Sequence, residues 1–425
     1  MFPISKSASR VAMAVALALG GVAGTVALSS PAVAKDAPAH YSPAFTKIAA
    51  PLQTAMDAAT KAKPDAAGIA RLRGQVDQAV AAAQTPDDKL VAGQFLFQLS
   101  SLAADKSLER RGLEMMADSG KLTGAEKGKY QFFAGSAAFD LKDYAGAQAL
   151  LDAAVASGYR GADVGVMRAE TAFAANRNDV GFAALKQAIV DQAASGKPVP
   201  QEWYARGIQV AYKAKNYAAA RDFSTAMVQA NPTKDNWSDA VNIARLAGNY
   251  QAQETLDLMR LMQRTGSLRE TGDYAEYLQA ADARRAPGEV LKVLNEGVAS
   301  GKLSASDVFV TDNKAQATSR LAADKAGLPA LERDARAANA SAVTVNAAAD
   351  AFLSYDEAAK AEALYQVALS KPGVDNDRLL TRLGIAQFDQ GKYAEAQATF
   401  AKVGGARKPI AQLWAIYAAQ KAKGA

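Results

Sequence analysis

Helix-stop signals recur along this chain at a nearly constant interval. Asp118-Ser119-Gly120, Ala156-Ser157-Gly158, Ala194-Ser195-Gly196 and Ala299-Ser300-Gly301 each follow an amphipathic run and precede a new one. Glycine in that place suits the left-handed conformation that closes a helix. Asn231-Pro232 and Thr265-Gly266 mark two further stops. Gly120, Gly158, Gly196, Asn231, Gly266 and Gly301 are separated by 38, 38, 35, 35 and 35 residues, and Gly373 of Pro372-Gly373 follows 72 residues on, two steps of 36. A unit of this size cannot bury its apolar face alone, so it must stack on its neighbours as a solenoid.

Composition supports the same reading. The chain has 425 residues, beyond the roughly 250–300 at which one globular core stops growing. It contains 100 alanines, and alanine is both the best helix former and the smallest apolar contact. Alternating β-branched runs are nearly absent, so the expected class is all-α. There is no cysteine and a single histidine, His40. That excludes disulfides, thiolate zinc sites, cysteine nucleophiles and histidine-rich metal centres, and leaves any histidine-dependent triad one residue to use. No nucleophile elbow, Walker A loop, dinucleotide fingerprint, zincin helix or EF-hand loop is present. Asp375 and Asp377 stand near a helix start, where carboxylates cap and complement the dipole, and His40 is read as an incidental exposed residue. No catalytic residue, cofactor or metal is expected.

Residues 1–34 read as a secretory signal peptide. Lys6 and Arg10 precede the uncharged stretch Val11–Leu28, and Ala32-Val33-Ala34 supplies a small-residue cleavage site before Lys35. The alternative is an uncleaved anchor, since 18 uncharged residues barely span a bilayer; Gly20, Gly21 and Gly24 weaken that helix. Without an Arg-Arg pair the general secretory route is expected, and the bacterial periplasm is the expected address. Removing the leader lowers the formal net charge from +6 to +4. The remaining basic residues are interleaved with acidic ones, which argues against a nucleic-acid partner. No second apolar stretch is long enough to span a membrane.

The interior of the repeat has its own order. The last unit reads Leu383-Gly384, Phe388, Gly391-Lys392-Tyr393, Ala396 and Phe400. An earlier one reads Gly135, Phe139, Lys142-Asp143-Tyr144, Ala147 and Leu151. Further copies run through Ala169, Phe173, Asn176, Gly181 and Leu185; through Trp203, Tyr212, Lys215-Asn216-Tyr217, Ala220 and Met227; through Trp237, Gly248-Asn249-Tyr250 and Leu256; and through Asp356, Ala358, Ala361, Tyr365 and Ala368. This pattern resembles the tetratricopeptide repeat, in phase over residues 128–403. The resemblance implies a right-handed superhelix of antiparallel helix pairs, nine to eleven of them here.

The expected organisation is a leader (1–34), a flexible lead-in (35–42), degenerate helical pairs (43–127), tetratricopeptide-like repeats (128–301), an irregular helical segment or hinge (302–342), further repeats (343–407) and a C-terminal capping helix (408–425). In the family the first helix of each pair lines a concave groove that receives peptides. Carried over residue by residue, the resemblance places Phe139, Phe173, Tyr212, Arg245 and Phe388 along that lining, with Arg206, Gln209 and Lys213 around Tyr212 and Asn242 one turn before Arg245. Those aromatics either hold a ligand or pack between hairpins. The pattern of clustered Lys and Asn that grips a free C-terminus is missing. The implied function is a non-catalytic protein- or peptide-binding scaffold of the cell envelope, with self-association compatible. The alternative is a carboxylate-dependent enzyme or accessory factor acting on envelope polysaccharide or peptidoglycan, with its carboxylates in a non-helical insertion near 302–342.

Overall fold

The computed structural model describes residues 39–160 and 162–424; the leader and the Ala34–Lys35 junction lie outside the described residues. The described chain is built from helical hairpins. They are α1 (Pro43–Ala62) with α2 (Ala66–Ala82), α3 (Pro86–Ala103) with α4 (Lys106–Ala117), α5 (Gly124–Asp140) with α6 (Tyr144–Ala156), α7 (Ala162–Ala174) with α8 (Asn178–Ala194), α9 (Gln201–Lys213) with α10 (Tyr217–Ala230), α11 (Lys234–Gly248) with α12 (Ala252–Thr265) and α13 (Thr271–Ala281) with α14 (Pro287–Ala299). A lone helix, α15 (Val308–Ala335), is followed by α16 (Ala342–Ser354) with α17 (Ala358–Leu369), α18 (Asn376–Asp389) with α19 (Tyr393–Phe400), a 3-10 turn at Gly405–Arg407 and α20 (Lys408–Ala422). Each helix packs on the next along the chain, so the array among the described residues is nine hairpins and two unpaired helices.

Two left-handed residues punctuate most repeats. Gly120, Gly158, Gly196, Gly266, Gly301 and Gly373 all have positive φ, between 66° and 90°, as the spacing of the stop signals predicts. Asn231 does not: its φ is −138°, because Pro232 follows and holds the preceding residue in the extended region. The second left-handed position lies in the turn inside each hairpin and is taken mainly by other residues, Lys63, Ala104, Lys142, Asn176, Lys215, Asn249, Asp282 and Asp356, with Gly391 in the last hairpin. In the α5–α6 turn Lys142 N–H donates to the Phe139 carbonyl (2.8 Å) and Asp143 N–H to the Ala138 carbonyl (3.0 Å). The same two bonds recur at Asn176–Arg177, Lys215–Asn216, Asp356–Glu357 and Gly391–Lys392, so five hairpins close with one Schellman motif.

Helix contact within a hairpin depends on small residues facing large ones. A Cβ on Gly135 would stand 2.9 Å from Leu151, and a Cβ on Gly207 or Gly384 would meet the ring of Phe223 or Phe400 within 2.6 Å. Ala147, Ala220, Ala361 and Ala396 are fully buried.

Two segments bear on the expected organisation, the lead-in departing from it and segment 302–342 agreeing with an irregular helical segment. The lead-in is not free over its described part: His40 N–H donates to Asp87 (2.9 Å), the Thr85 hydroxyl donates to the His40 carbonyl (2.8 Å), and Ser42 N–H donates to Asp88 (3.1 Å). The start of α3 thus pins residues 40–42, while the His40 side chain stays exposed. Segment 302–342 holds one 28-residue helix, α15, in which Val310, Ala317 and Ala335 are buried and most of the remainder faces solvent. Pro329 lies inside that helix. Among the described residues no helix is long and apolar enough to cross a membrane.

Candidate binding surface

The left-handed turn residue fixes a register for the expected lining. Counting three residues back from it gives Phe139, Phe173, Tyr212, Leu246, Leu353 and Phe388. Leu246 therefore holds the place that the resemblance gave to Arg245. Counting two residues forward gives Tyr144, Tyr217 and Tyr393, and these rings meet their partners across the turn: Phe139–Tyr144 at 5.6 Å, Tyr212–Tyr217 at 5.8 Å and Phe388–Tyr393 at 5.3 Å between centroids. Phe173 packs instead on Phe182 at 5.4 Å. The aromatics thus brace the ends of their own hairpins, and Tyr212 alone of the four is largely exposed, at 54%.

Of the polar residues expected around them, two are struts between repeats. Arg206 on α9 makes a bidentate pair with Glu170 on α7 (2.7 Å for both bonds) and lies over the Phe173 ring at 5.7 Å. It also donates to Gln209 at 3.0 Å. Arg245 on α11 pairs with Glu276 on α13 and donates to Asn242 at 2.8 Å. Their donors serve neighbouring repeats, which a sequence reading by helix face cannot detect. Lys213 and Gln209 remain exposed beside Tyr212.

Among the polar contacts between repeats, two groups stand out by sequence separation. Struts such as Arg110–Asp143, Glu170–Arg206, Lys186–Asp222 and Gln263–Glu296 span 33 to 36 residues, one repeat. A second group spans 125 to 192 residues and joins α10 and α12 to α18, the Gly405–Arg407 turn and α20. Asp257 on α12, fully buried, is its centre: Arg260 (3.3 Å), Arg382 (3.2 Å) and Arg407 (2.6 Å) all pair with it. Outward from these guanidinia, Arg260 reaches Glu289, Arg382 reaches Asp350 and Arg407 reaches Glu254. Tyr277 and Tyr365 donate to Glu289 (2.9 Å) and Asp350 (2.6 Å). Burial works to raise the Asp257 carboxyl, but Arg382, Arg407 and Arg260 outweigh it and hold it below the ordinary carboxylate range. Glu289 and Asp350 are lowered for the same reasons, burial opposing and arginines prevailing.

This is a tetratricopeptide-like superhelix whose C-terminal half closes on itself. No protein family's sequence profile matches the chain, and no curated protein does. Among solved structures, a chain from "Crystal structure of APC/C hetero-tetramer Cut9-Hcn1" is 13% identical, with 86% of this chain and 67% of that one covered and a TM-score of 0.24. The fold is defined by the hairpins and their shared turn.

Closure removes Phe388 from any open surface of the superhelix. It is 7% exposed and packs on Trp414 and Tyr417 of α20. What stays open is the rim formed by the intra-hairpin turns of α5 to α12. Leu141 (42%), Val180 (48%), Tyr212 and Leu246 (46%) are large apolar residues left exposed there, each within four positions of a left-handed turn residue. Two depressions open on the same rim. One, of about 510 Å³, is lined by Tyr144, Gln148, Asp152 and Arg177; the other, of about 280 Å³, by Asn242, Arg245, Leu246, Tyr250 and Glu276. The rim carries no sequence signature beyond the repeat, since it is defined by which side chains packing leaves uncovered. Where the alternative reading placed a non-helical insertion with catalytic carboxylates, segment 302–342 holds the helix α15. Asp375 caps α18 through Arg378 N–H, whereas Asp377 accepts from Gly404 N–H at 2.7 Å and ties the last turn to α18.

Proposed function

We propose that the protein is a non-catalytic protein-binding scaffold of the cell envelope that engages partners along the intra-hairpin turn rim of α5 to α12. The observation that carries this reading is the row of exposed apolar residues, Leu141, Val180, Tyr212 and Leu246, repeated in four consecutive hairpins. Packing does not need these side chains covered, and exposed apolar residues on neighbouring hairpins are the kind of surface a protein partner buries. The basic, apolar and small-residue order of residues 1–34 supports export.

The test is comparative recovery. Wild-type protein and Tyr212→Ala/Leu246→Ala are used to capture proteins from envelope extract, with helical circular dichroism as the control for folding. Both residues are exposed, so the variant is expected to keep its fold and to lose at least one protein that the wild type recovers. Identical recovery by both folded proteins overturns the rim assignment. The exported protein's own N-terminus is expected at Lys35.

A further inference from the structure

The last helix packs on α19 and also reaches helices far from it in sequence. α20 does not pair as another hairpin; it leaves the Gly405–Arg407 turn and lies between α18 and α19 on one side and α11 and α12 on the other. Tyr417 stacks on Phe388 (4.9 Å) and meets Trp237 of α11 edge-on (5.5 Å). Trp414, fully buried, packs on Phe388 and Phe400, with the Arg264 guanidinium 5.7 Å from its ring.

Its polar contacts with the far wall go to main chain. Trp414 Nε1 donates to the Asp257 carbonyl (2.9 Å), the Tyr417 hydroxyl to the Arg264 carbonyl, and Gln420 Nε2 to the Val228 carbonyl (2.9 Å). The donors stand at i, i+3 and i+6, one stripe of a helix. Arg264 and Val228 lie in the last turns of α12 and α10, where carbonyls have no partner within their own helix. Water satisfies such carbonyls when α20 is away, so its departure strands no hydrogen-bonding group at these two positions. Aromatic anchors at helical spacing in an apolar groove are the helix-in-groove mode of recognition.

We infer that the groove between α11–α12 and α18 is a second binding site, specific for an amphipathic helix presenting aromatic, aromatic and amide side chains at i, i+3 and i+6, and that α20 occupies it in cis as an internal competitor. The inference rests on the protein-binding reading above but concerns a different surface. A partner helix of that pattern enters when α20 is out. Tethered through the Arg407 turn, α20 competes at an effective concentration of about millimolar, and the apparent affinity for a partner falls by the fraction of open molecules.

The probe is a fluorescein-labelled peptide of residues 405–424 added to the full-length chain. Full-length Tyr417→Ala/Gln420→Ala, which loosens the far end of α20 and keeps the Arg407 anchor, is expected to bind the peptide at least about tenfold more tightly than the wild type does. A peptide carrying Trp414→Ala is expected not to bind. A variant with wild-type helical circular dichroism that fails to bind the peptide, or a wild type that binds it as tightly, overturns the inference. Should the variant not fold, hydrogen exchange on the unaltered chain decides: amides of α20 are expected to exchange at least about tenfold faster than those of α12 and α18, as a separate opening unit. Exchange of all three together overturns it. Neither result depends on the Tyr212/Leu246 rim, so each reading stands or falls separately.

Discussion

Lys215 shows what a single residue contributes to this array. It sits at φ 55° in the α9–α10 turn, a conformation that costs an L-residue about 1–2 kcal/mol, and its exposed side chain has no packing role. Glycine avoids the strain but loses about 0.5–1 kcal/mol of chain entropy on folding. Lys215→Gly is therefore expected to stabilise by about 0.5–1 kcal/mol, seen as a higher midpoint in thermal or urea unfolding; a lower midpoint contradicts the account. The glycine stops between hairpins were legible in the sequence because glycine announces a left-handed residue. The stops within hairpins were legible only through the order of the repeat around Lys142, Asn176, Lys215, Asn249, Asp356 and Gly391, since lysine, asparagine and aspartate by themselves occur everywhere. Once that register is read, the aromatic pairs Phe139–Tyr144, Tyr212–Tyr217 and Phe388–Tyr393 are seen to meet across one turn, while Tyr212 keeps most of its surface open.

At the scale of elements, α12 is the helix on which the closed half depends. Its N-terminal half carries Gln253, Glu254 and Asp257, which receive Arg378, Arg382 and Arg407 from across the molecule. Removing one member of a buried charge set leaves the others uncompensated and costs about 3–5 kcal/mol. Asp257→Asn is expected to lose stability of that order at neutral pH, measured by urea unfolding. The pH dependence follows from the direction of the shift. Asp257, Glu289 and Asp350 are held below their ordinary values in the fold, so the stability they contribute is complete above the unfolded carboxylate pKa, about 4, and is lost as pH falls through the folded values. The difference between wild type and Asp257→Asn should accordingly shrink below about pH 4. A difference that stays constant down to pH 2.5 would show that Asp257 is not the charged centre.

Taken as a whole, the molecule joins two kinds of architecture. From α1 to α10 the buried apolar residues form several small clusters, each confined to neighbouring helices, as in a one-dimensional array. From Val228 to Ala418 they form one continuous cluster, and the contacts at separations of 125 or more bind its ends together. Amides in α5 to α10 are expected to open with lower free energy in native-state hydrogen exchange than those in α12, α13 and α18. Equal opening energies along the chain would mean that closure adds nothing.

The sequence by itself determined the hairpin, its length, its small-against-large contacts and its glycine stops. All of these are set by helix propensity, capping and packing within about one repeat of roughly 35 residues, so local residue patterns encode them. It also placed Phe139, Phe173, Tyr212 and Phe388 at one register. Only the tertiary structure decided that Arg206 and Arg245 are struts, that Phe388 lies under α20, and that the C-terminal half is closed. Those outcomes depend on how small rotations between repeats accumulate until Asp257 meets Arg382 and Arg407. Arginine and aspartate at such separations look in sequence like any other solvated charges, because what buries them is the curvature of the whole array.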